Sequence, residues 1–314
     1  MNYTIHVLEV GHENAFLGFN TDRAKTPFTV VGVPLDISSS FRGGCREAPA
    51  NIRTASKSLE LCSLLTGLNI EYIGFEDLGN IVLPPGDINV SLKRIEEVVK
   101  ELLSNDRIPI LIGGEHTITL PGFKALALSG SSPCLLVFDA HADLRDEYLG
   151  SRYNHATVIR RTLDETKGNV LLVGSRAVSK EEVDAYKNFS NRVDIIKLWR
   201  GNESRDTIRG IIKEIQGKLT VCSDIYVSID LDIVDPAYAP GVQTPEPLGV
   251  DPATLLDILE NVVDNRVKVF DVVEVAPHYD SSGATSFLAA KVIIEVAALI
   301  YMHIAQNIEK YRCW

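Results

Sequence analysis

Short apolar runs that alternate with amphipathic segments constrain the fold of this chain more than any other feature. Eight runs of four to seven residues have the length and character of buried strands: 29–33, 70–75, 108–112, 134–138, 170–173, 193–196, 225–229 and 267–273. Helical patterns lie between most of them or follow the last: 48–61, 90–103, 121–127, 156–163, 180–187, 204–215, 252–262 and 284–305. This alternation is typical of βαβ units, so we predict an α/β fold whose eight-stranded, mostly parallel sheet carries helices on both faces. No linker or repeat divides residues 1–314, which we expect to form a single domain.

Acidic residues and histidines follow several of these strands, where open α/β sheets gather their functional sites. Asp139, His141 and Asp143 come directly after one strand, and their spacing by two places them on one face of an extended chain. The full set of candidate ligands is His116, Asp139, His141, Asp143, Asp230 and Asp232. Any one of these residues alone could simply be a solvated residue at the end of a strand. Because acidic residues and histidines recur at several strand ends, a metal site is favoured.

Four carboxylates and two imidazoles exceed the three protein ligands usual for a catalytic zinc ion. They suit two ions about 3.5–4 Å apart that share bridging carboxylates. Mixed oxygen and nitrogen ligands favour Mn²⁺ over Zn²⁺. We therefore expect two Mn²⁺ ions that activate a bridging water as a nucleophile.

Three motifs resemble the ureohydrolase family of arginases and agmatinases. They are GGEHT at 113–117, FDAHAD at 138–143, and SIDLD at 228–232 with DPAYAPG at 235–241. An N-terminal loop within 32–53 is similar as well, so the resemblance covers nearly the whole chain. It implies a three-layer αβα sandwich, two Mn²⁺ ions and hydrolysis of a guanidino group to urea and an amine.

The resemblance also assigns roles to individual residues. It implies that Asp139 and Asp230 bridge the ions, that His116 and Asp143 complete one site, and that His141 and Asp232 complete the other. His155 matches the histidine that shuttles protons, and Glu274 matches the carboxylate that holds the guanidinium. Asp143 would also accept a hydrogen bond from the attacking oxygen. The catalytic set is thus His155, Asp143 and Glu274.

The segment 144–154 is the best indicator of the substrate. The pattern with which arginases bind an α-amino acid is not recognisable there, and the segment looks more like agmatinases. We therefore expect agmatine, with arginine and guanidino acids such as guanidinobutyrate as alternatives. The distal ammonium of agmatine would bind one of three carboxylates: Asp146, Glu147 or Glu246. Arg145 and Arg152 would favour a guanidino acid if they faced the pocket, and otherwise would pair with neighbouring carboxylates. A formimino-group hydrolase and a metal-binding protein without turnover remain further alternatives.

The charge and cysteine content limit the partners. With 31 Lys and Arg against 42 Asp and Glu, the net charge is −11, which argues against nucleic acid. The apolar segment 284–305 contains Lys291 and Glu295, so we expect a buried or subunit-facing helix and not a membrane span. Five scattered cysteines without a CxxC pair predict free thiols, no disulfide framework and a reducing cytosol. The apolar C-terminal helix and the family suggest a homo-oligomer, a trimer or a hexamer.

Overall fold

A nine-stranded sheet forms the centre of the protein in this computed structural model, which describes residues 6–129, 132–199, 201 and 204–313. Its strands are β1 (Val7–Leu8), β2 (Phe28–Val33), β3 (Glu76–Ile81), β4 (Ile108–Gly113), β5 (Pro133–Phe138), β6 (Asn169–Val173), β7 (Val193–Ile196), β8 (Asp224–Asp230) and β9 (Val267–Val273). They lie in the order β1-β3-β2-β4-β9-β8-β5-β6-β7. All neighbouring pairs are parallel except β1 with β3. The predicted mostly parallel sheet is confirmed, with one short antiparallel strand more than expected.

Helices cover both faces of this sheet. They are α1 (Ala48–Ser56), α2 (Ile70–Ile73), α3 (Ile88–Ser104), α4 (Thr119–Ser129), α5 (Val158–Glu165), α6 (Lys180–Phe189), α7 (Arg205–Lys218), α8 (Pro252–Val262) and α9 (Ala284–Ile304). Alternate strand residues enter two separate cores. Ile110 belongs to the core that includes residues of α1, α7, α8 and α9, whereas Leu111 belongs to the core that includes residues of α3, α4 and α5. Period-two alternation along a doubly covered strand produces such a pair of cores. The predicted three-layer αβα sandwich and its eight helices are therefore present.

The apolar helix α9 belongs to the core. By length and composition it could cross a membrane, but most of its residues are buried inside the protein. The carboxylate of Glu295 is fully buried there, 2.6 Å from Lys291 Nζ, and it accepts hydrogen bonds from Ser63 Oγ and the Leu64 N–H. A buried charge requires such partners, and here they fix the loop that follows α1 against α9.

The prediction of a strand at 70–75 is wrong. Ile70 and Ile73 are both buried at helical spacing in α2, which Asn69 caps through the Glu71 N–H and which ends at Gly74 with φ 68°. The strand lies later, at β3, whose polar residues do not form an apolar run and so were not recognised as a strand. Its Asp77 is buried in an ion pair with the Arg53 guanidinium, whose Nε lies 2.8 Å away.

The prediction of free thiols without disulfides is also wrong. Cys134 bonds Cys222, and Cys62 bonds Cys313, which leaves buried Cys45 as the free cysteine. The partners are 88 and 251 residues apart in sequence, so spacing gave no signal. The fold brings them together because β5 lies beside β8 and the C-terminal segment packs on the loop at 62–69. The cysteine argument for a reducing cytosol is lost with this prediction.

Candidate active site and metal centre

The site residues lie at the carboxyl ends of four adjacent strands, β4, β9, β8 and β5. His116 follows β4, Glu274 follows β9, Asp230 ends β8 and Asp139 follows β5. Strands far apart in sequence thus deliver their polar ends to one place, as the strand-end pattern predicted. Gly114 allows the chain to turn toward His116, because a Cβ at this position would lie 2.0 Å from the Leu35 carbonyl oxygen.

Three carboxylates surround one nitrogen of the His116 ring. His116 Nδ1 lies 3.0 Å from Asp139 Oδ2, 3.2 Å from Asp143 Oδ2 and 3.4 Å from Asp230 Oδ2. All four side chains are buried. Inward-facing oxygen and nitrogen atoms at this separation can hold one metal ion.

A second group lies beside the first. His141 Nδ1 is 2.8 Å from Asp232 Oδ2 and 3.5 Å from Asp139 Oδ1. Asp139 turns one oxygen toward each histidine, but its Oδ1 also accepts the His141 N–H at 2.6 Å, so its bridging role stays a prediction. Asp230 turns Oδ2 toward His116 and uses Oδ1 to accept the Asp232 N–H at 2.9 Å, so its bridging role stays a prediction.

Buried atoms without good hydrogen bonds support a metal centre. Among the residues that the structure describes, His116 Nδ1, Asp139 Oδ2 and Asp232 Oδ2 are buried without a hydrogen bond of good geometry. Their nearest polar contacts are between His116 Nδ1 and Asp139 Oδ2, at 3.0 Å, and between Asp232 Oδ2 and His141 Nδ1, at 2.8 Å. Buried polar atoms without good hydrogen bonds are costly, and each of the two groups that contain these atoms could hold a cation. The donor set of carboxylate oxygens and imidazole nitrogens fits Mn²⁺.

The raised pKa values of two carboxyl groups also indicate that a cation binds here. Burial, and then the charge of Asp139, raises the pKa of Asp143 to about 7. Burial also raises the pKa of Asp230 well above its usual value, and the charges of Asp232 and Asp139 add to it. Crowded carboxylates favour protonation unless a cation offsets their charge, and a dication would reverse these shifts.

A buried network orients His116 from behind. Its Nε2 lies 3.1 Å from Ser228 Oγ, which donates to Asp271 Oδ1 at 2.7 Å. Thr119 and Tyr226 donate to the other oxygen of Asp271, each at 2.7 Å. Sequence reasoning missed this network, although Ser228 stands two residues before Asp230, on the same face of the strand. Such outer partners fix the ring of a metal-binding histidine.

Glu274 lies next to His116, one of the metal-ligand candidates, and is hydrogen-bonded to its backbone. Its φ is 67°, an uncommon backbone conformation for a residue other than glycine. Oε1 accepts the His116 N–H at 2.6 Å, whereas Oε2 is buried without a partner among the described residues. Burial raises the pKa of Glu274 well above its usual value. A partnerless carboxylate oxygen of this kind suits a cationic ligand.

His155 lies between two serines of the loop that follows β2. Its Nδ1 is 3.2 Å from Ser38 Oγ, and its Nε2 is 3.1 Å from Ser40 Oγ. Asn154 caps the short 3₁₀ turn on which His155 lies. Burial lowers the pKa of His155, so the ring is neutral at pH 7. No pattern in the sequence indicates that these two serines contact His155.

A cavity of about 520 Å³ connects several of these groups. His141, Asp143 and His155 line it together with Arg145, Arg176 and Glu246. Of the three carboxylates predicted to meet the substrate's distal ammonium, only Glu246 lines this cavity, within the described part of the chain.

Arginines hold Asp146 outside the cavity. Arg161 binds its Oδ1, and Arg152 and Arg160 lie 3.5 and 3.6 Å from the same oxygen. The hydrogen bond from Arg161 lowers the pKa of this carboxyl. Glu147 is exposed. Roles for Asp146 and Glu147 in substrate binding stay predictions.

The two cationic side chains of the cavity are engaged with the protein. Arg145 Nη1 lies 3.3 Å from Glu181 Oε2, and its guanidinium stacks 4.9 Å from the centre of the Tyr148 ring. Each nitrogen of the Arg176 guanidinium donates to a backbone carbonyl; the acceptors are Asp232, Ile233, Glu246 and Pro247. Sequence reasoning did not identify Arg176, which holds the loop of Glu246 against the metal centre.

Comparisons with known proteins agree with this geometry. A family model described as the arginase family matches residues 26–299. An agmatinase of Bacillus cereus is 35% identical over 270 residues, which cover 85% of this chain and 89% of that protein. A mitochondrial guanidino acid hydrolase of Homo sapiens is 35% identical over 274 residues, covering 85% and 76% of the two chains. The crystal structure of agmatine ureohydrolase of Thermoplasma volcanium has a TM-score of 0.79 and 34% identity, covering 89% of this chain and 92% of that one.

Proposed function

The chain belongs to the arginase family of hydrolases that act on guanidino groups, and from that premise we propose that it hydrolyses agmatine to putrescine and urea with two Mn²⁺ ions. One observation carries the choice of substrate. A single cavity connects two of the metal-ligand candidates, His141 and Asp143, to the carboxylate of Glu246, while both arginines of that cavity are bonded to the protein itself. A substrate with a guanidinium at one end and an ammonium at the other fits this distribution of charge.

The metal ligands in this proposal are His116, Asp139, His141, Asp143, Asp230 and Asp232. The ions they would hold supply Lewis-acid activation of a water molecule. The protein's own residues perform the other tasks. The free oxygen of Glu274 accepts hydrogen bonds from the guanidinium and orients its plane. Asp143, which lines the cavity, accepts a hydrogen bond from the attacking oxygen.

His155 moves the proton. Because burial lowers its pKa, its ring is a neutral base at pH 7 and can accept a proton from the attacking water. It then passes this proton to the nitrogen of the leaving amine. As the C–N bond breaks, Asp143 accepts the second proton from the attacking oxygen, and that proton also passes to the leaving nitrogen. The cationic guanidinium thus yields neutral urea and an alkylammonium ion, and no amide anion is expelled.

Hydrolysis of a guanidino acid is the second candidate function. Arg145 and Arg176 line the cavity, and the similarity to the human guanidino acid hydrolase equals that to the agmatinase. A substrate carboxylate would have to compete with Glu181 for Arg145, which makes this candidate the weaker one. Arginine ranks behind both, since the sequence carries no arginase pattern for the α-amino acid.

A substrate panel tests the proposal. Purified protein reconstituted with Mn²⁺ is incubated with agmatine, 4-guanidinobutyrate or arginine, and urea is measured. We expect the highest kcat/KM for agmatine and loss of turnover after chelation. Urea from guanidinobutyrate alone would select the second candidate, and no urea from any of the three would reject hydrolysis of these compounds.

Assembly and location are part of the same proposal. We propose a cytoplasmic homo-oligomer, a trimer or a hexamer, without nucleic acid or membrane partners. Support comes from the family and from the negative net charge. The apolar helix α9 no longer contributes, because it is buried within one chain. Light scattering coupled to size exclusion gives the mass directly, and a monomer would contradict the assembly.

A further inference from the structure

We propose that Glu115 and Ser38 are positioning residues that hold the hydrogen of the neutral His155 ring on Nδ1 and leave Nε2 as the proton acceptor facing the cavity. The consequence for turnover rests on the proposed function, but the hydrogen position does not. Neither residue is a metal-ligand candidate.

Glu115 is fully buried and accepts four hydrogen bonds. The backbone N–H groups of Ile37 and Ser38 donate to Oε2 at 2.6 and 2.7 Å. The hydroxyls of Ser38 and Thr117 donate to Oε1, each at 2.7 Å. A backbone N–H can only donate, so Oε2 is an acceptor in both of its bonds. Four donors therefore converge on the two oxygens of this one carboxyl group.

The hydroxyl of Ser38 links Glu115 to His155, and its bond to Glu115 determines the direction of its bonds to the histidine. A serine hydroxyl has one hydrogen and two lone pairs. The hydrogen points to Glu115, so both lone pairs must accept. One accepts the backbone N–H of His155 at 3.0 Å, and the other faces His155 Nδ1 at 3.2 Å. Nδ1 must therefore carry a hydrogen and donate it to Ser38 Oγ. Without that hydrogen, a lone pair of Nδ1 would face a lone pair of Ser38 Oγ.

The other nitrogen of the ring is then fixed as an acceptor. Nε2 lies 3.1 Å from Ser40 Oγ, which lines the cavity and can donate its hydrogen. The Tyr148 ring meets the imidazole edge to face, with ring centres 6.1 Å apart and planes at 88°, and so limits rotation of the ring. A histidine in the opposite tautomer would carry its hydrogen on Nε2 and could not accept a proton there.

An isosteric variant should reverse the chain of hydrogen bonds. In Glu115→Gln, the amide oxygen must face the two backbone N–H groups, so the amide NH₂ faces Ser38 Oγ and Thr117 Oγ1. Ser38 then accepts from the amide and from the His155 N–H, and its own hydrogen turns to His155 Nδ1. The ring must move its hydrogen to Nε2. Ser38→Ala removes the acceptor at Nδ1 and favours the same change.

Nitrogen NMR reads the hydrogen position directly. The full chain is labelled with ¹⁵N at its 7 histidines and loaded with diamagnetic Zn²⁺, and the long-range ¹H–¹⁵N spectrum is recorded at pH 8. His155→Gln identifies the signals of this ring. We expect hydrogen on Nδ1 in the wild-type protein and on Nε2 in Glu115→Gln and Ser38→Ala. Ser39→Ala is the matched control in the same loop, because Ser39 Oγ donates to Asp36 at 2.6 Å and should leave the tautomer unchanged.

Kinetics separate this role from a purely structural one. In Glu115→Gln and Ser38→Ala we expect kcat to fall by about 10- to 100-fold with little change in KM, since only proton transfer is affected. Ser38→Thr, which keeps the hydroxyl, should restore most of kcat. Hydrogen on Nε2 in the wild-type spectrum, or an unchanged tautomer in both variants, would overturn the proposal. If no substrate is turned over, the proposed function fails, and the spectra still decide the tautomer.

Discussion

The backbone N–H of His116 donates to Glu274 Oε1 at 2.6 Å, across 158 residues of sequence. A metal-ligand candidate and the proposed guanidinium anchor are therefore joined by one hydrogen bond between the ends of β4 and β9. Because these strands are adjacent in a parallel sheet, the distance between anchor and metal centre is set by the sheet. Loop movement need not position them, which suits chemistry that depends on a short, fixed separation.

Glu274→Gln tests this anchor. The amide keeps an oxygen for the His116 N–H but turns a donor toward the guanidinium. We expect kcat/KM for agmatine to fall about 100- to 1,000-fold, or about 3–4 kcal/mol, while bound metal stays unchanged. Urea assays and elemental analysis measure the two quantities. Glu260→Gln, on the exposed side of α8, is the control and should behave as wild type. Wild-type kcat/KM in Glu274→Gln would contradict the role.

Asp230→Asn tests the metal centre. The change removes one negative charge among buried carboxylates and weakens an oxygen that faces His116. We expect bound Mn²⁺ and urea release to be lost together, as measured by elemental analysis and turnover on the same samples. Asp224→Asn, at the opposite end of β8, should retain both. Full activity in Asp230→Asn would refute the assignment.

The sequence predicted seven of the strands because apolar runs are a local pattern, whereas the metal-ligand roles stay predictions. Apolar runs marked seven strands, and the motifs after them marked His116, Asp139 and Asp230. It failed where tertiary contacts decide. Strand β3 is polar because Arg53 reaches Asp77 from a helix, and neither residue alone suggests a strand. The serines around His155 come from a loop more than 110 residues earlier in the chain, and no local pattern announces such a contact.

Glu246→Gln tests the choice of substrate. Loss of the carboxylate should weaken binding of the agmatine ammonium and reduce kcat/KM for agmatine about tenfold, the scale of one charged hydrogen bond. The value for 4-guanidinobutyrate should not fall, because repulsion of its carboxylate is removed. Glu214→Gln, an exposed site on α7 outside the cavity lining, should leave both values unchanged. An equal loss for both substrates would show that Glu246 does not select by charge.

The two disulfides should contribute strongly to stability. They join residues 88 and 251 positions apart, and the chain-entropy model assigns about 4–5 kcal/mol to loops of this size. Cys62→Ser with Cys313→Ser frees the C-terminal segment, whose Cys313 N–H otherwise donates to the Gly67 carbonyl oxygen at 2.9 Å. We expect this double variant to unfold about 10 °C below the wild type in calorimetry. Reduction of the wild-type protein should lower Tm in the same direction.

Cys45→Ser is the matched control, because Cys45 is buried but unpaired and should leave the response to reductant unchanged. Thiol titration of the denatured protein, purified without reductant, should find one free thiol among its 5 cysteines. Five free thiols, together with a Tm that reductant does not change, would contradict both disulfides. They would return the cysteines to the role of small buried apolar side chains and would restore the argument for a reducing compartment.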